Sequence, residues 1–388
     1  MTGALNGIRV VECGEGVSAA YAGKLLADLG ADVVKVETPA GDAARRRGPY
    51  PGGAADPERS GLYLYLNTNK RGAVLDLETT DGRSALTALA RHADLLVHNV
   101  PPAQTAARGL DADALLAAHP RLVVASITPY GLQGSRRDWA ATDLTLWNAG
   151  GIAYLNGGGF EAEDLPPLKP FGQQAEFQGG VNAAIAALGA LRARRRTGRG
   201  QHVVVSIQQA LAAILELTFE YYPYQGLIAS RLGRKPIQPL DFLECKDGWV
   251  FICCVEEHQW QEFVRMIGSP EWAEIELFAD RLSRGANWDA LKIFLQEWAS
   301  EQSVLDVYHA AQQRRIPFAP VSSMGDLLAS EHLKARGFFA TLALPGASIR
   351  VPGAPYRLSA TPWAIRRPAP RLGEHTAEVL REAGVQQQ

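Results

Sequence analysis

The chain has 388 residues, more than one hydrophobic core usually serves, so two domains are expected. At 47% hydrophobic and 21% charged residues with a formal net charge of −2, it reads as an ordinary globular protein with no field for nucleic acid or an anionic membrane. No apolar run approaches the ~18 residues of a membrane span, and MTGALNGIRVVEC lacks the regions of a secretory signal.

Taken in order, the first 130 residues alternate strand and helix. Ile8 to Cys13 is predicted as a strand, Ala19 to Leu29 as a helix stopped by Gly30, and Val33 to Glu37 as the second strand. Ala73 to Leu77, Leu95 to Val97 and Leu122 to Ile127 follow as buried strands, with helices starting near Asp81 and Asp111. That alternation implies an α/β fold with a parallel sheet covered on both faces. The basic run Arg45 to Arg47 precedes a surface loop carrying Pro49, Pro51 and Pro57.

Pro166 to Gln201 is the stretch on which the rest is organised. Pro166, Pro167, Pro170 and Gly172 give an extended entry, Glu176 follows, and Val181, Ile185, Leu188 and Leu191 recur at helical spacing. Thr197-Gly-Arg-Gly200 stops that helix, and His202 to Val205 reads as a strand. A carboxylate just ahead of a buried helix is favoured in its ionised form by the helix dipole, and glycines nearby admit a ligand to backbone N–H groups. The same placement also suits an acid that merely complements the helix start.

A long helix is expected over Ile207 to Tyr222, then a linker containing Tyr221-Tyr-Pro-Tyr224 and Arg231 to Pro239. Phe242 to Cys245 and Trp249 to Cys254, joined by Lys246-Asp-Gly248, read as a β-hairpin, with helices around Glu257 to Ile267 and Asp289 to Ala299. Arg315 to Val321 returns as an extended segment, and Arg371 to Thr376 leads into a last helix, Ala377 to Ala383. The domain division that follows is a large Rossmann-like domain, 1–222 completed by 325–388, and a small α+β domain, 223–324.

Gly14-Glu-Gly16-Val-Ser-Ala19 fits the G-x-G-x-x-A pattern between strand and helix, and Glu37 ends the next strand where a dinucleotide site places its ribose-binding acid. NAD is a disfavoured reading of that turn, because such short glycine patterns arise often by chance, and a strand-to-helix turn can hold other nucleotide phosphates as well. No nucleophile elbow, P-loop or zinc-protease motif is present. Cys13, Cys245, Cys253 and Cys254 have no metal spacing and suit reduced thiols in a cytoplasm; the lone His98 and His202 read as structural.

Four ordered motifs carry a resemblance: Leu29-Gly-Ala-Asp-Val-Val-Lys-Val-Glu37, Asn69-Lys-Arg71, Thr197-Gly-Arg-Gly-Gln201 and Leu372-Gly-Glu-His-Thr376. Together they resemble the family III CoA-transferases, a superfamily that includes formyl-CoA transferase, carnitine CoA-transferase and α-methylacyl-CoA racemase. The resemblance implies an interlocked homodimer, a Rossmann-like large domain, and transfer of coenzyme A between an acyl-CoA and a carboxylic acid through an acyl anhydride and an enzyme thioester. No metal, nucleic acid or membrane partner is expected, from the cysteine spacing, the net charge and the lack of a long apolar run. The family's nucleophilic Asp matches Glu176, a carboxylate with one more methylene. The racemase branch's His matches Thr142, which cannot exchange protons near neutral pH, so a racemase using that pair is disfavoured.

For coenzyme A, the resemblance implies contacts from Val17 and Ser18 in the first turn, and from Leu75, Asn99, Val100 and Arg108 at further nucleotide positions. Thr38 falls where several members carry an Arg for a CoA phosphate, which passes that role to Arg45 or Arg46. Asp143 is implied as a second, structural carboxylate. The glycine-rich gating loop of formyl-CoA transferase is not matched; Arg234-Lys-Pro-Ile-Gln238 lies in its place, and Gly157-Gly-Gly159 is a separate loop. Two readings remain besides the transferase: an acyl-CoA isomerase or epimerase with Glu176 as acid and base, and a CoA-binding protein without transfer chemistry.

Overall fold

The computed structural model describes residues 3–157, 164–232, 237–344 and 347–385. The chain divides into two compact units, one of Met1–Gly157, Pro167–Ala229 and Gly337–Gln388, the other of Gly158–Pro166 and Ser230–Arg336. In the first unit, β1 (Arg9–Cys13), β2 (Asp32–Glu37), β3 (Arg71–Val74), β4 (Leu95–His98), β5 (Val123–Thr128) and β6 (His202–Ser206) form one sheet in the order β3-β2-β1-β4-β5-β6. Every pairing in it is parallel, with Val10 opposite both Val33 and Leu95.

The valine-rich runs build this sheet because both faces are buried. Val10, Val33, Leu95, Val97, Val123 and Ala125 face one core, with the helices Ser18–Asp28 and Gln174–Thr197. Val11, Cys13, Val34, Val36, Leu96 and Val124 face the other, with Thr80–His92 and Thr376–Glu382. Alternate residues of one strand therefore serve opposite cores. The chain leaves β1 outward to β2 and β3, then returns to β4 on the other side of β1. Where the order reverses, the carboxyl ends of β1 and β4 open a crevice, the usual ligand position in such sheets.

The shared motifs mostly hold this sheet together. Glu12 on β1 is bridged to Lys35 at 3.0 Å and to Lys70 at 2.7 Å, and Lys35 also meets Asp42 at 2.7 Å, all with fully buried side chains. Isolated, such charges would cost several kcal/mol each in desolvation; mutual pairing offsets that. Arg71 reaches Asp32 at 2.6 Å and Glu378 and Glu382 at 2.9 Å, tying the last helix to the sheet. His375 N–H donates to Gly72 O at 2.9 Å, so the tail covers the open edge of β3.

Three local expectations are corrected. The third strand spans Arg71–Val74; Leu75 still donates its N–H to Glu37 O at 2.9 Å, and Asp76 and Leu77 lie beyond the strand. The helix expected over Ile207 to Tyr222 is two, Ile207–Ala212 and Glu216–Gln225, broken where Glu216 takes φ +47°. Tyr221 to Tyr224 lie inside the second of these, not in a linker; Pro223 gives up its own hydrogen bond to the carbonyl four residues back, and the helix ends two residues later at Gln225.

In the second unit β7 (Leu240–Cys245) and β8 (Gly248–Cys253) form the expected hairpin, and β9 (Ala319–Pro320) adds to it, all antiparallel. Glu257–Met266, Trp288–Ser300 and Val304–Gln313 pack on this sheet through Phe263, Leu291, Leu295 and Val307. The first unit also contains a hairpin that sequence reading missed, β10 (Phe339–Leu344) with β11 (Ala347–Pro352). Gly158, Gly159 and residues 234–236 lie outside the described residues.

Candidate active site

Glu176 stands in the first turn of the Gln174–Thr197 helix, not ahead of it. That helix packs against Ser18–Asp28 at Gly180, where a Cβ would come within 2.7 Å of Ser18 O. The close approach seats the Glu176 carboxylate over the start of the neighbouring helix. Its Oε2 accepts hydrogen bonds from Val17 N–H at 3.2 Å and Ser18 N–H at 3.3 Å. These are backbone donors with no partner inside their own helix, aligned with its positive dipole end. Among the described residues nothing donates to Oε1.

The loop presenting those amides is held from two sides. Asp42 Oδ1 accepts from Gly16 N–H at 2.9 Å and Ala44 N–H at 2.7 Å, while its other oxygen faces Lys35. Gly16 has φ +78°, a conformation that glycine adopts freely. On the other side Asn99 accepts from Glu15 N–H at 3.1 Å and donates to Glu15 O at 2.7 Å and Ser18 Oγ at 3.1 Å. A Cβ on Gly14 would lie 2.1 Å from Asn99 Oδ1, so only glycine fits there.

Asp143 accepts from Glu176 N–H at 3.0 Å, and Lys169 meets its other oxygen at 2.9 Å. Thr142 caps the Asp143–Ala149 helix, accepting from Thr145 N–H at 3.3 Å, which gives it a structural duty. Burial pushes the Glu176 carboxyl above the usual carboxylate range; the Val17 and Ser18 amides pull it back, Asp143 adds to the rise, and Arg47 opposes it. A carboxylate that is desolvated yet held by two amides is a better nucleophile than one in water.

The crevice at the strand ends is a cleft of about 340 Å³. Thr38, Leu75, Asn99, Val100 and Arg108 all line it, with Gly14 at its floor. Arg108 is half-buried there and donates to Glu78 at 2.8 Å. Val17 and Ser18 are buried one step inward, their amides turned to Glu176. Arg45 stands apart from the cleft wall: it is buried and donates to Glu37 at 2.7 and 2.8 Å, Tyr63 at 2.6 Å and Glu58 at 3.0 Å. Arg46 is exposed and donates to Ala40 O at 3.0 Å. Glu37 also accepts from Asp42 N–H at 2.9 Å, so both its oxygens are engaged and neither is left for a ribose.

Residues that sequence reading did not assign to the site are Asp42, Lys169 and Arg47. Only the basic run hinted at Arg47, and nothing local marked Asp42 as the residue under the Gly16 loop. Among the described residues no group of three His, Cys, Asp or Glu side chains could hold a metal ion, and no helix is long and apolar enough to cross a membrane. All four cysteines are free.

The profile of CoA-transferase family III matches residues 5–376. A succinate–glutarate CoA-transferase of Agrobacterium fabrum is 30% identical over 97% of this chain and 95% of its own length. The BbsE subunit of succinyl-CoA:(R)-benzylsuccinate CoA-transferase of Thauera aromatica is 33% identical over 94% and 90%. Among solved structures, a CAIB/BAIF family protein from Brucella suis is 30% identical and superposes with a TM-score of 0.88 over 99% of this chain and 100% of that one. Rv3272 from Mycobacterium tuberculosis, at 25% identity, gives 0.83 over 97% and 99%.

Proposed function

The chain belongs to CoA-transferase family III, and we propose that it moves coenzyme A from an acyl-CoA to a free carboxylic acid through the carboxylate of Glu176. The observation that carries this is the seat of Glu176: one oxygen on two backbone amides, the other without a donor, beside a nucleotide-sized cleft. Acids named for relatives, succinate and glutarate among them, support a carboxylic acid as the acceptor.

In the first step Glu176 Oε1 attacks the thioester carbonyl and expels CoA thiolate, leaving a mixed anhydride. The thiolate then attacks the Glu176 carbonyl, releasing the first acid and forming a glutamyl thioester. An incoming carboxylate repeats these steps in reverse, and CoA leaves on the new acyl group. Whenever the Glu176 carbon becomes tetrahedral, Oε2 carries the developing negative charge toward Val17 N–H and Ser18 N–H. Loss of one such donor typically costs 10²–10³ in rate.

The large unit supplies the CoA site in this reading, with Thr38, Leu75, Asn99, Val100 and Arg108 along the nucleotide. Arg108 is the cation we assign to a CoA phosphate. We place the enzyme in the cytoplasm and as an interlocked homodimer. The Glu216–Gln225 helix buries no residue in the single chain and exposes Leu217, Phe219, Tyr222 and Tyr224, which supports a covered face. A well-folded monomer at nanomolar concentration in analytical ultracentrifugation would count against this assembly.

The raised Glu176 carboxyl also suits a base that removes a substrate α-proton, the isomerase reading. Incubation with acyl-CoA and acceptor acid separates the two. The transferase forms a new thioester and a hydroxylamine-sensitive adduct at Glu176, both lost in Glu176→Gln. An isomerase leaves no adduct and exchanges the α-proton with solvent deuterium. Neither outcome, with CoA still bound, leaves a CoA-binding protein.

A further inference from the structure

A second cleft, of about 720 Å³, opens beside the first turn of the Glu176 helix and is separate from the nucleotide crevice. Phe177 and Gln173 of that turn form one wall. Pro49 and Tyr50, Leu62 and Tyr65, and Val351 of β11 form the others, so the lining is mainly apolar. Arg47 is its one charged lining residue among the described ones.

Arg47 differs from the other arginines of this unit. Arg45, Arg71 and Arg194 each hold a carboxylate at 2.6–2.7 Å. The Arg47 side chain is exposed and has neither a hydrogen bond nor an ion pair among the described residues. Its charge opposes, as the smallest of the named causes, the burial-driven rise of the Glu176 carboxyl. A free guanidinium in an apolar cleft walled by Gln173, Gln174 and Phe177, the neighbours of Glu176 on its helix, is poorly matched to a plain hydrocarbon tail. Its fork geometry fits a carboxylate.

We propose that this cleft takes the acyl group and that Arg47 selects dicarboxylic acids with an apolar substituent, binding the carboxylate that does not react. One carboxyl of the acid then meets Glu176, the other pairs with Arg47, and the apolar body lies against Phe177, Tyr65 and Val351. The inference rests on Glu176 as the reacting group. It assigns Arg47 to specificity and leaves the bond-making steps unchanged.

The test compares phenylsuccinate with 3-phenylpropanoate, the same skeleton lacking one carboxylate, in wild type, Arg47→Gln and Arg47→Lys. Two readouts are taken: kcat/KM for new thioester formation, and calorimetric binding of each acid to the CoA-loaded protein. Expected in Arg47→Gln is a 10- to 100-fold loss for phenylsuccinate in both, the range for a hydrogen bond to a charged group. The value for 3-phenylpropanoate should change less than threefold, and Arg47→Lys should recover part of the loss. Equal effects on both acids, or none on either, overturn the proposal, as does a shift in sedimentation without acid discrimination, which would make the cleft a contact between copies. Arg47-dependent binding without any transfer would uphold the dicarboxylate site while removing the transferase reading.

Discussion

Gly180→Ala tests whether the approach of two helices sets the nucleophile. The added Cβ would start 2.7 Å from Ser18 O, 3.1 Å from Tyr21 Cβ and 3.3 Å from Ala22 N. Reaching a close C···O contact of about 3.3 Å requires the helices to part by about 0.6 Å. Gly180 lies one turn beyond Glu176, so that displacement passes to the carboxylate. Its contacts to Val17 and Ser18 N–H, now 3.2 and 3.3 Å, would lengthen to about 3.8 Å, outside hydrogen-bonding reach. Turnover should then fall by roughly 10²–10³. Stability should change much less, because overpacking costs about 1–3 kcal/mol while replacing a mid-helix glycine by alanine returns about 1 kcal/mol. The assay pairs thioester formation with urea unfolding and CoA calorimetry. A variant that keeps activity within threefold of wild type would refute the argument that these two amides hold the reacting group.

Further outcomes are expected. Arg108→Ala should weaken CoA binding by roughly 1.5–3 kcal/mol in calorimetry, and the wild type should show no comparable affinity for NAD. Because Glu176 must be ionised to attack and its carboxyl is raised by burial, kcat/KM should fall with pH along a limb centred above the usual carboxylate range; a limb at or below that range would contradict the desolvated site. His98 is buried against Ser126 Oγ at 2.8 Å, and burial, with His202 nearby, depresses it from 6.5 to about 4. The unfolded chain takes up that proton first, so stability should be full above about pH 6.5 and decline by up to about 3 kcal/mol as pH falls toward 4. His98→Gln should flatten that part of the urea-unfolding profile.

The parallel sheet was legible because its strands are buried on both faces and therefore read as unbroken valine-rich runs. The boundaries that moved did so for tertiary reasons. Gly179 and Gly180 look like breakers ahead of a helix, yet they lie within it: a Cβ on Gly179 would meet Ile207 at 2.7 Å, and Gly180 faces Ser18 O at the same distance. The break at Glu216 carries no proline or glycine to announce it. Arg45 shows the limit of reading charge from sequence. It stands in a basic run beside a presumed phosphate site, but its partners Glu37 and Tyr63 lie eight residues before and eighteen after it and become visible only once the loop closes.

Arg45 and Arg47, two positions apart, therefore divide the labour of that run. Glu37 binds Arg45 on two nitrogens, and Tyr63 lies under its guanidinium 3.7 Å from the ring centre, so its charge is neutralised inside the fold. That fixed pair shapes the chain between Asp42 and Ser60, and Asp42 at its start holds the Gly16 loop whose amides seat Glu176. The motif residues around Lys35, Glu37 and Lys70 thus act on the chemistry through geometry, by setting where two N–H groups point. Arg47 is left without an internal counter-charge among the described residues. Under the proposed reading, a buried ionic frame that fixes Glu176, with a free cation at its edge, would separate the part of the site that makes bonds from the part that chooses the acid.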